Sequence, residues 1–102
     1  MPRYLFAAGL VSSTGTKLTS SGQVSWSVAR TSGYPVGARQ VTFASAHPLG
    51  ANYMILATAQ GGACYISIGS YAPSSTKFEL ATFTMGTYTT LDCNFSFIAL
   101  AY

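Results

Sequence analysis

The stretch that decides the fold is Val24-Ser25-Trp26-Ser27-Val28, in which apolar and polar residues alternate without a break. Successive side chains of a β-strand point to opposite faces. This order therefore places Val24, Trp26 and Val28 on one face of a strand and the two serines on the other. The pattern predicts a strand with one buried face and one exposed face.

The same alternation recurs along the chain, while the helical period is nearly absent. In residues 39–43, for example, Val41 and Phe43 are predicted to point inward. Gly, Ser and Pro clusters recur about every 8 to 15 residues, a spacing typical of β-sandwiches and barrels. Strands are predicted near residues 3–11, 16–18, 24–30, 39–44, 52–60, 63–69, 77–84 and 93–101. We predict a single all-β domain over residues 1–102, an antiparallel β-sandwich of seven or eight strands.

The composition suggests that the protein associates with itself. Charged residues make up 7% of the chain and apolar residues 49%, whereas roughly 25% of the residues of an average soluble domain are charged. Three predicted strands, at 53–57, 78–83 and 95–100, carry apolar residues on both faces. Such strands are usually covered on both sides. We therefore expect one side of each to face the sandwich core and the other a neighbouring subunit.

The net charge of +3 does not indicate a nucleic-acid partner. A phosphate-binding surface needs several cations together, and the basic residues are scattered along the chain. They are Arg3, Lys17, Arg30, Arg39 and Lys77. The longest apolar runs are also far shorter than the ~20 residues of a transmembrane helix, so no membrane insertion is expected.

The side chains available for catalysis are few: Glu79, Asp92, His47 and the two cysteines. A carboxylate pair can serve a glycosidase when its members lie about 5 to 9.5 Å apart, and a cysteine activated by a histidine can act as a nucleophile. Both alternatives are disfavoured, because Glu79 and the cysteines fall in predicted strands with apolar neighbours. We predict no enzymatic activity, no cofactor and no metal site.

Cys64 and Cys93 leave two interpretations open. As unpaired residues they would be small buried apolar side chains within strands, which is the favoured interpretation because free cysteine is among the most buried residue types. A disulfide between their strands is the alternative. It would require the two Cα atoms to lie within about 7 Å of each other.

Five segments together carry a resemblance to known proteins. They are Phe6-Ala7-Ala8-Gly9-Leu10-Val11, Trp26-Ser27-Val28-Ala29-Arg30-Thr31, Val41-Thr42-Phe43, His47-Pro48-Leu49-Gly50-Ala51-Asn52-Tyr53 and Phe95-Ser96-Phe97-Ile98-Ala99-Leu100. In these segments the chain resembles the C-terminal head domains of virus and bacteriophage fibre proteins, including those that cap collagen-like shafts. A secondary resemblance is to H-type lectins, small β-sandwich trimers with a similar strand order.

The resemblance implies a jelly-roll-like or H-type-lectin-like sandwich that forms a homotrimer at the tip of a fibre. Such a domain would lie on the virion surface or elsewhere outside the cell, where it joins three chains and contacts a host receptor or glycan. The galactosamine-binding residues of H-type lectins have no matching polar motif in this chain. A purely structural trimerisation or capping module is therefore the alternative function, and a small secreted lectin is a less favoured one.

Candidate ligand contacts are tyrosines in predicted loops, because aromatic rings stack on the apolar faces of sugars while their hydroxyls form hydrogen bonds. They are Tyr34, Tyr71 and Tyr88. His47, which precedes Pro48 in another loop, is a fourth candidate. The favoured interpretation of His47 is an ordinary turn residue, because X-Pro-x-Gly is common in turns, and the alternatives are a ligand contact or a pH-sensitive group. If the strands alternate in direction, Tyr34 and Tyr88 lie at one end of the sandwich and His47 and Tyr71 at the other.

Overall fold

The structure is a computed structural model that describes residues 4–30, 36–60, 64–68, 74–84 and 89–101. The described residues form eight β-strands. They are β1 (Tyr4–Val11), β2 (Lys17–Ser21), β3 (Trp26–Arg30), β4 (Ala38–Phe43), β5 (Met54–Gln60), β6 (Cys64–Ile68), β7 (Lys77–Thr84) and β8 (Asn94–Ala101). Each predicted strand is confirmed, and the largest difference is in β2, which extends to Ser21. None of the described residues belongs to a helix with the length and apolar character needed to cross a membrane.

The strands pair into two four-stranded antiparallel sheets. Sheet A has the order β2-β1-β8-β5, and sheet B has the order β3-β4-β7-β6. Aromatic rings from the two sheets meet edge to face between them: Phe6 lies 5.0 Å from Phe43, and Phe97 lies 5.3 Å from Phe78, measured between ring centroids. The two sheets thus enclose one aromatic core, which confirms the predicted antiparallel β-sandwich.

The alternation around Trp26 is confirmed in its burial. Trp26 is buried, and Val24 and Val28 pack against the core, while the two serines between them are exposed. The indole N–H donates a hydrogen bond of 3.0 Å to the carbonyl oxygen of Ala8. The ring itself lies against Gly9 of β1, where a Cβ atom would overlap it and come within 2.6 Å of the Thr19 carbonyl oxygen. A glycine at this position allows the indole to fill the core.

Gly9→Ala is therefore expected to lower the free energy of unfolding by about 2 kcal/mol, because the added methyl group overlaps a buried ring and overpacks the core. Urea denaturation measures the change. Gly50→Ala is the control: nothing lies within 4 Å of its added Cβ, although its φ of 64° carries a left-handed strain. That strain costs about 1 kcal/mol. Equal losses in the two variants would contradict the proposed steric cause.

Consecutive strands run in opposite directions, so the turns lie at two ends of the sandwich. We call one the ion-pair end, where Arg30 at the end of β3 contacts Asp92 just before β8. We call the other the His47 end, where the His47 ring contacts the carbonyl oxygen of Leu100 near the end of β8. β1 begins and β8 finishes at the His47 end, because Tyr4 pairs with Ala101.

Candidate functional site

The ion-pair end contains a cluster of three charged side chains centred on Asp92. Arg30 donates two hydrogen bonds to its carboxylate, of 2.7 and 3.2 Å, and Arg39 lies 3.4 Å from Oδ1. The backbone N–H of Gly37 donates to the same oxygen at 2.9 Å. These donors favour the charged form, so the pKa of Asp92 is lowered, chiefly by the Arg30 hydrogen bonds, although burial opposes the shift.

Arg39 extends this cluster into the core. It is only 5% exposed, because it shares the inward face of β4 with Val41 and Phe43. Its guanidinium donates a hydrogen bond of 2.9 Å to the carbonyl oxygen of Ser13, whose own N–H donates to the Asn94 side chain. A buried guanidinium keeps its charge and needs a counterion. Asp92 supplies that counterion, and Arg39 links the loop at 12–16 to the sandwich.

A disulfide connects the two sheets at the same end. Cys64 begins β6 of sheet B, and Cys93 directly precedes β8 of sheet A; their Cα atoms are 6.5 Å apart. The favoured prediction, two unpaired cysteines, is therefore wrong, and the alternative is present. The alternation of residues within each strand could not reveal that Cys64 pairs with Cys93, because this pairing depends on how β6 and β8, from different sheets, lie relative to each other.

His47 lies in the predicted loop between β4 and β5, but the residue is only 3% exposed. Its Nδ1 accepts a hydrogen bond of 3.0 Å from the Leu49 N–H, so its Nε2 carries the proton that is donated to Leu100 at 2.8 Å. Its ring stacks on Tyr53 with centroids 4.4 Å apart and lies 4.5 Å from Phe6. Both ring nitrogens are engaged, so the interpretation as a ligand contact is corrected: His47 is a buried turn residue.

The other three candidate contacts, Tyr34, Tyr71 and Tyr88, lie outside the described residues. The tyrosine that does belong to a described site is Tyr53, which sequence analysis did not select. Its hydroxyl donates a hydrogen bond of 3.0 Å to the carbonyl oxygen of Lys77, and burial raises its pKa to about 12. Tyr53 therefore belongs to a cluster of packed rings at the His47 end, together with His47, Phe6 and Phe43.

The outer faces of the two sheets differ in charge. Sheet B presents Lys77 and Glu79 on β7, and these side chains lie beside polar residues of β4. Farther along β7 the same outer face becomes apolar, at Ala81 and at Phe83, whose ring stacks on Tyr65 with centroids 5.4 Å apart. On sheet A, by contrast, no charged residue occupies an outward position in β1, β5 or β8 over their described length.

The register of sheet A shows how its outward side chains are arranged, because directly paired residues lie on the same face. Two adjacent rows form what we call the apolar face of sheet A. They are Leu5–Leu100–Met54 and Ala8–Ile98–Leu56. Within them Met54, Leu56 and Ile98 are 47%, 56% and 40% exposed.

Beyond these rows, toward the ion-pair end, the outer face of sheet A becomes polar. The next row is Leu10–Ser96–Thr58, in which the Ser96 and Thr58 hydroxyls form a hydrogen bond of 2.8 Å. A shallow hollow of about 230 Å³ lies on this face between β5 and β8. The face is thus uncharged throughout, apolar near the His47 end and rich in hydroxyl groups near the ion-pair end.

Two surfaces therefore differ in their chemistry: the apolar face of sheet A has no charge, and the ion-pair end holds Arg30, Arg39 and Asp92. Over the described ranges, no group of three or more His, Cys, Asp or Glu side chains is arranged to hold a metal ion. Comparisons of the chain with family models, with curated proteins and with solved structures found no match.

Proposed function

We propose that this chain is a non-catalytic head domain that forms a homotrimer at the tip of a viral or bacteriophage fibre and contacts a host receptor or glycan. The observation that carries the proposal is the uncharged apolar face of sheet A. On a single subunit this face leaves Met54, Leu56 and Ile98 in contact with water. Contiguous exposed apolar surface of this kind marks interaction sites.

The occupant that best fits the apolar face is a second copy of the chain. Interface cores are depleted of charged residues, and the same face on another subunit brings only aliphatic and hydroxyl groups. A charged partner would instead bury ions against a surface that has no counterion to offer. The outer face of sheet B, by contrast, carries Lys77 and Glu79, whose burial in an interface would cost free energy.

Most of the side chains that could take part in catalysis are already bonded within the fold, which supports a function without catalysis. Asp92 is held by two arginines, and both ring nitrogens of His47 are hydrogen-bonded. Cys64 and Cys93 are joined, so neither offers a thiol nucleophile. These groups stabilise the fold, which leaves surface presentation as the proposed role.

Leu56→Lys is expected to dissociate the trimer. An ammonium group buried against an aliphatic surface costs several kcal/mol, so the apparent dissociation constant should rise by at least about 100-fold. Sedimentation equilibrium measures it, and the wild type should have three times the 10.7 kDa mass of one chain. The control is Val36→Lys, which changes another exposed aliphatic residue outside the apolar face and should leave the trimer intact.

A monomeric wild type at high concentration would show that the proposed function is wrong. A trimer that tolerates Leu56→Lys would instead place the contact elsewhere. The structural alternative, a trimerisation or capping module without a ligand, depends on the same apolar face. Binding of the isolated trimer to a glycan array and to host cells separates the two, since a capping module would bind neither.

A further inference from the structure

The strand directions determine which end of the domain is free. Tyr4 and Ala101 pair with each other at the His47 end. Any chain that continues beyond either residue therefore leaves the sandwich from that end. The ion-pair end points away from such a continuation, so its side chains are the ones available to a partner in front of the domain.

Arg30 is the exposed cation of the ion-pair end. Its side chain is 44% exposed, although two of its N–H groups are held by Asp92. A guanidinium has five N–H donors, and no described residue accepts from the remaining three. Because Asp92 fixes its position, Arg30 presents a second edge to solvent in a defined orientation.

Two exposed aliphatic residues stand next in sequence to groups of the ion cluster. Val36 precedes Gly37, whose N–H donates to Asp92, and Leu91 precedes Asp92 itself. Both backbone segments are held by Thr82, which donates to the Gly37 carbonyl oxygen and accepts from the Leu91 N–H, each at 3.0 Å. Gly37 has a φ of 97°, and a Cβ there would lie 2.7 Å from the Thr82 carbonyl oxygen.

Hydroxyl groups complete this surface. Ser13, Thr14 and Thr16 are exposed in the loop after β1. Arg39 and Asn94 hold that loop by bonds to the two backbone groups of Ser13. The loop is therefore attached to the same ion cluster that orients Arg30.

We propose that this surface, formed by Arg30, Val36, Leu91 and the loop at 12–16, binds a saccharide that carries a carboxylate. A guanidinium edge binds a carboxylate through two parallel hydrogen bonds. The aliphatic side chains match the C–H face of a sugar ring, and the loop hydroxyls match its hydroxyl groups. This site rests on the proposed function, of which it specifies the glycan contact, and it lies outside the apolar face of sheet A.

The test is a titration of the whole chain with four probes, followed by amide NMR shifts and calorimetry. N-acetylneuraminic acid and glucuronic acid are expected to bind and to shift amides around Arg30 and Leu91. N-acetylgalactosamine, which is neutral, and N-acetylglutamate, which has carboxylates but no ring, are expected to bind at least 10-fold more weakly. The probes thereby test the carboxylate and the sugar ring of the ligand separately.

Arg30→Gln should weaken binding of the acidic sugars at least 10-fold, while Asp92 keeps Arg39 and Gly37 as partners. Lys77→Gln removes one positive charge from the outer face of sheet B and should have no effect. If Arg30→Gln does not fold, Leu91→Ser leaves the ion cluster intact and should still weaken binding at least threefold.

Three results would overturn the assignment: no binding of either acidic sugar, equal binding of the neutral sugar, or equal binding of N-acetylglutamate. The sedimentation experiment is independent of these titrations. A trimer that binds no acidic sugar would leave the proposed assembly in place and remove only this site.

Discussion

Removal of the Cys64–Cys93 disulfide is expected to lower the free energy of unfolding by about 3.5 kcal/mol. The bond spans 29 residues of sequence, and a closed loop of that length restricts the unfolded chain by about this amount. The double variant Cys64→Ala/Cys93→Ala avoids burying polar groups at these positions. Urea denaturation of the oxidised wild type and of the variant measures the difference.

The reduced wild type is the matched control, because it lacks the bond but keeps both sulfur atoms. Its midpoint should fall close to that of the double variant. In a thermal scan the loss corresponds to roughly 15–25 °C for a domain of this size. A double variant as stable as the oxidised wild type would contradict the role of the disulfide as a link between the sheets.

Asp92→Asn is expected to lower the free energy of unfolding by about 3 kcal/mol. The change leaves the guanidinium of Arg39 charged within the core, at 5% exposure, with no carboxylate beside it. Arg30→Gln is the control, and its loss should be much smaller because Arg30 is exposed to water. Losses of equal size would contradict the role of Asp92 as the counterion of Arg39.

The same site predicts a dependence on acid. The pKa of Asp92 in the folded protein lies below its ordinary value of 3.8. The charged Asp92 carboxylate therefore contributes fully to the free energy of unfolding above that value, and this contribution is lost as the pH falls through the pKa of the folded protein. The free energy of unfolding of the wild type should decrease below about pH 4, and that of the Asp92→Asn variant should decrease less over the same range. Denaturation curves between pH 2 and pH 6 provide the comparison.

The strands could be predicted because their alternation is a local property of the chain. The alternation of residues in β4 also indicates a buried arginine, which the sequence analysis above did not predict. Arg39 has the parity of Val41 and Phe43, so it must point inward, and a buried arginine requires a carboxylate. The chain has only two acidic residues. The choice of Asp92 over Glu79, however, depends on which strand ends meet, and the alternation of residues along a strand does not determine that.

The features that could not be predicted depend on contacts between distant residues. His47 lies in a loop with no periodicity, and its burial follows from Tyr53 and from the position of the end of β8. The disulfide likewise depends on the order of strands in two different sheets. The apolar face of sheet A was expected in part: the pattern indicated apolar residues on both faces of β5, β7 and β8, but it did not show that β5 and β8 are neighbours in one sheet while β7 lies in the other.

The position of β8 has a consequence for how the protein is made. This strand lies between β1 and β5, so these two strands cannot be joined in sheet A before residues 94–101 have left the ribosome. Sheet B uses only earlier residues and can pair its strands first. In newly synthesised chains the edges of β1 and β5 that pair with β8 would therefore stay unpaired until residue 101 is made. A chaperone that shields these edges should raise the yield of folded protein.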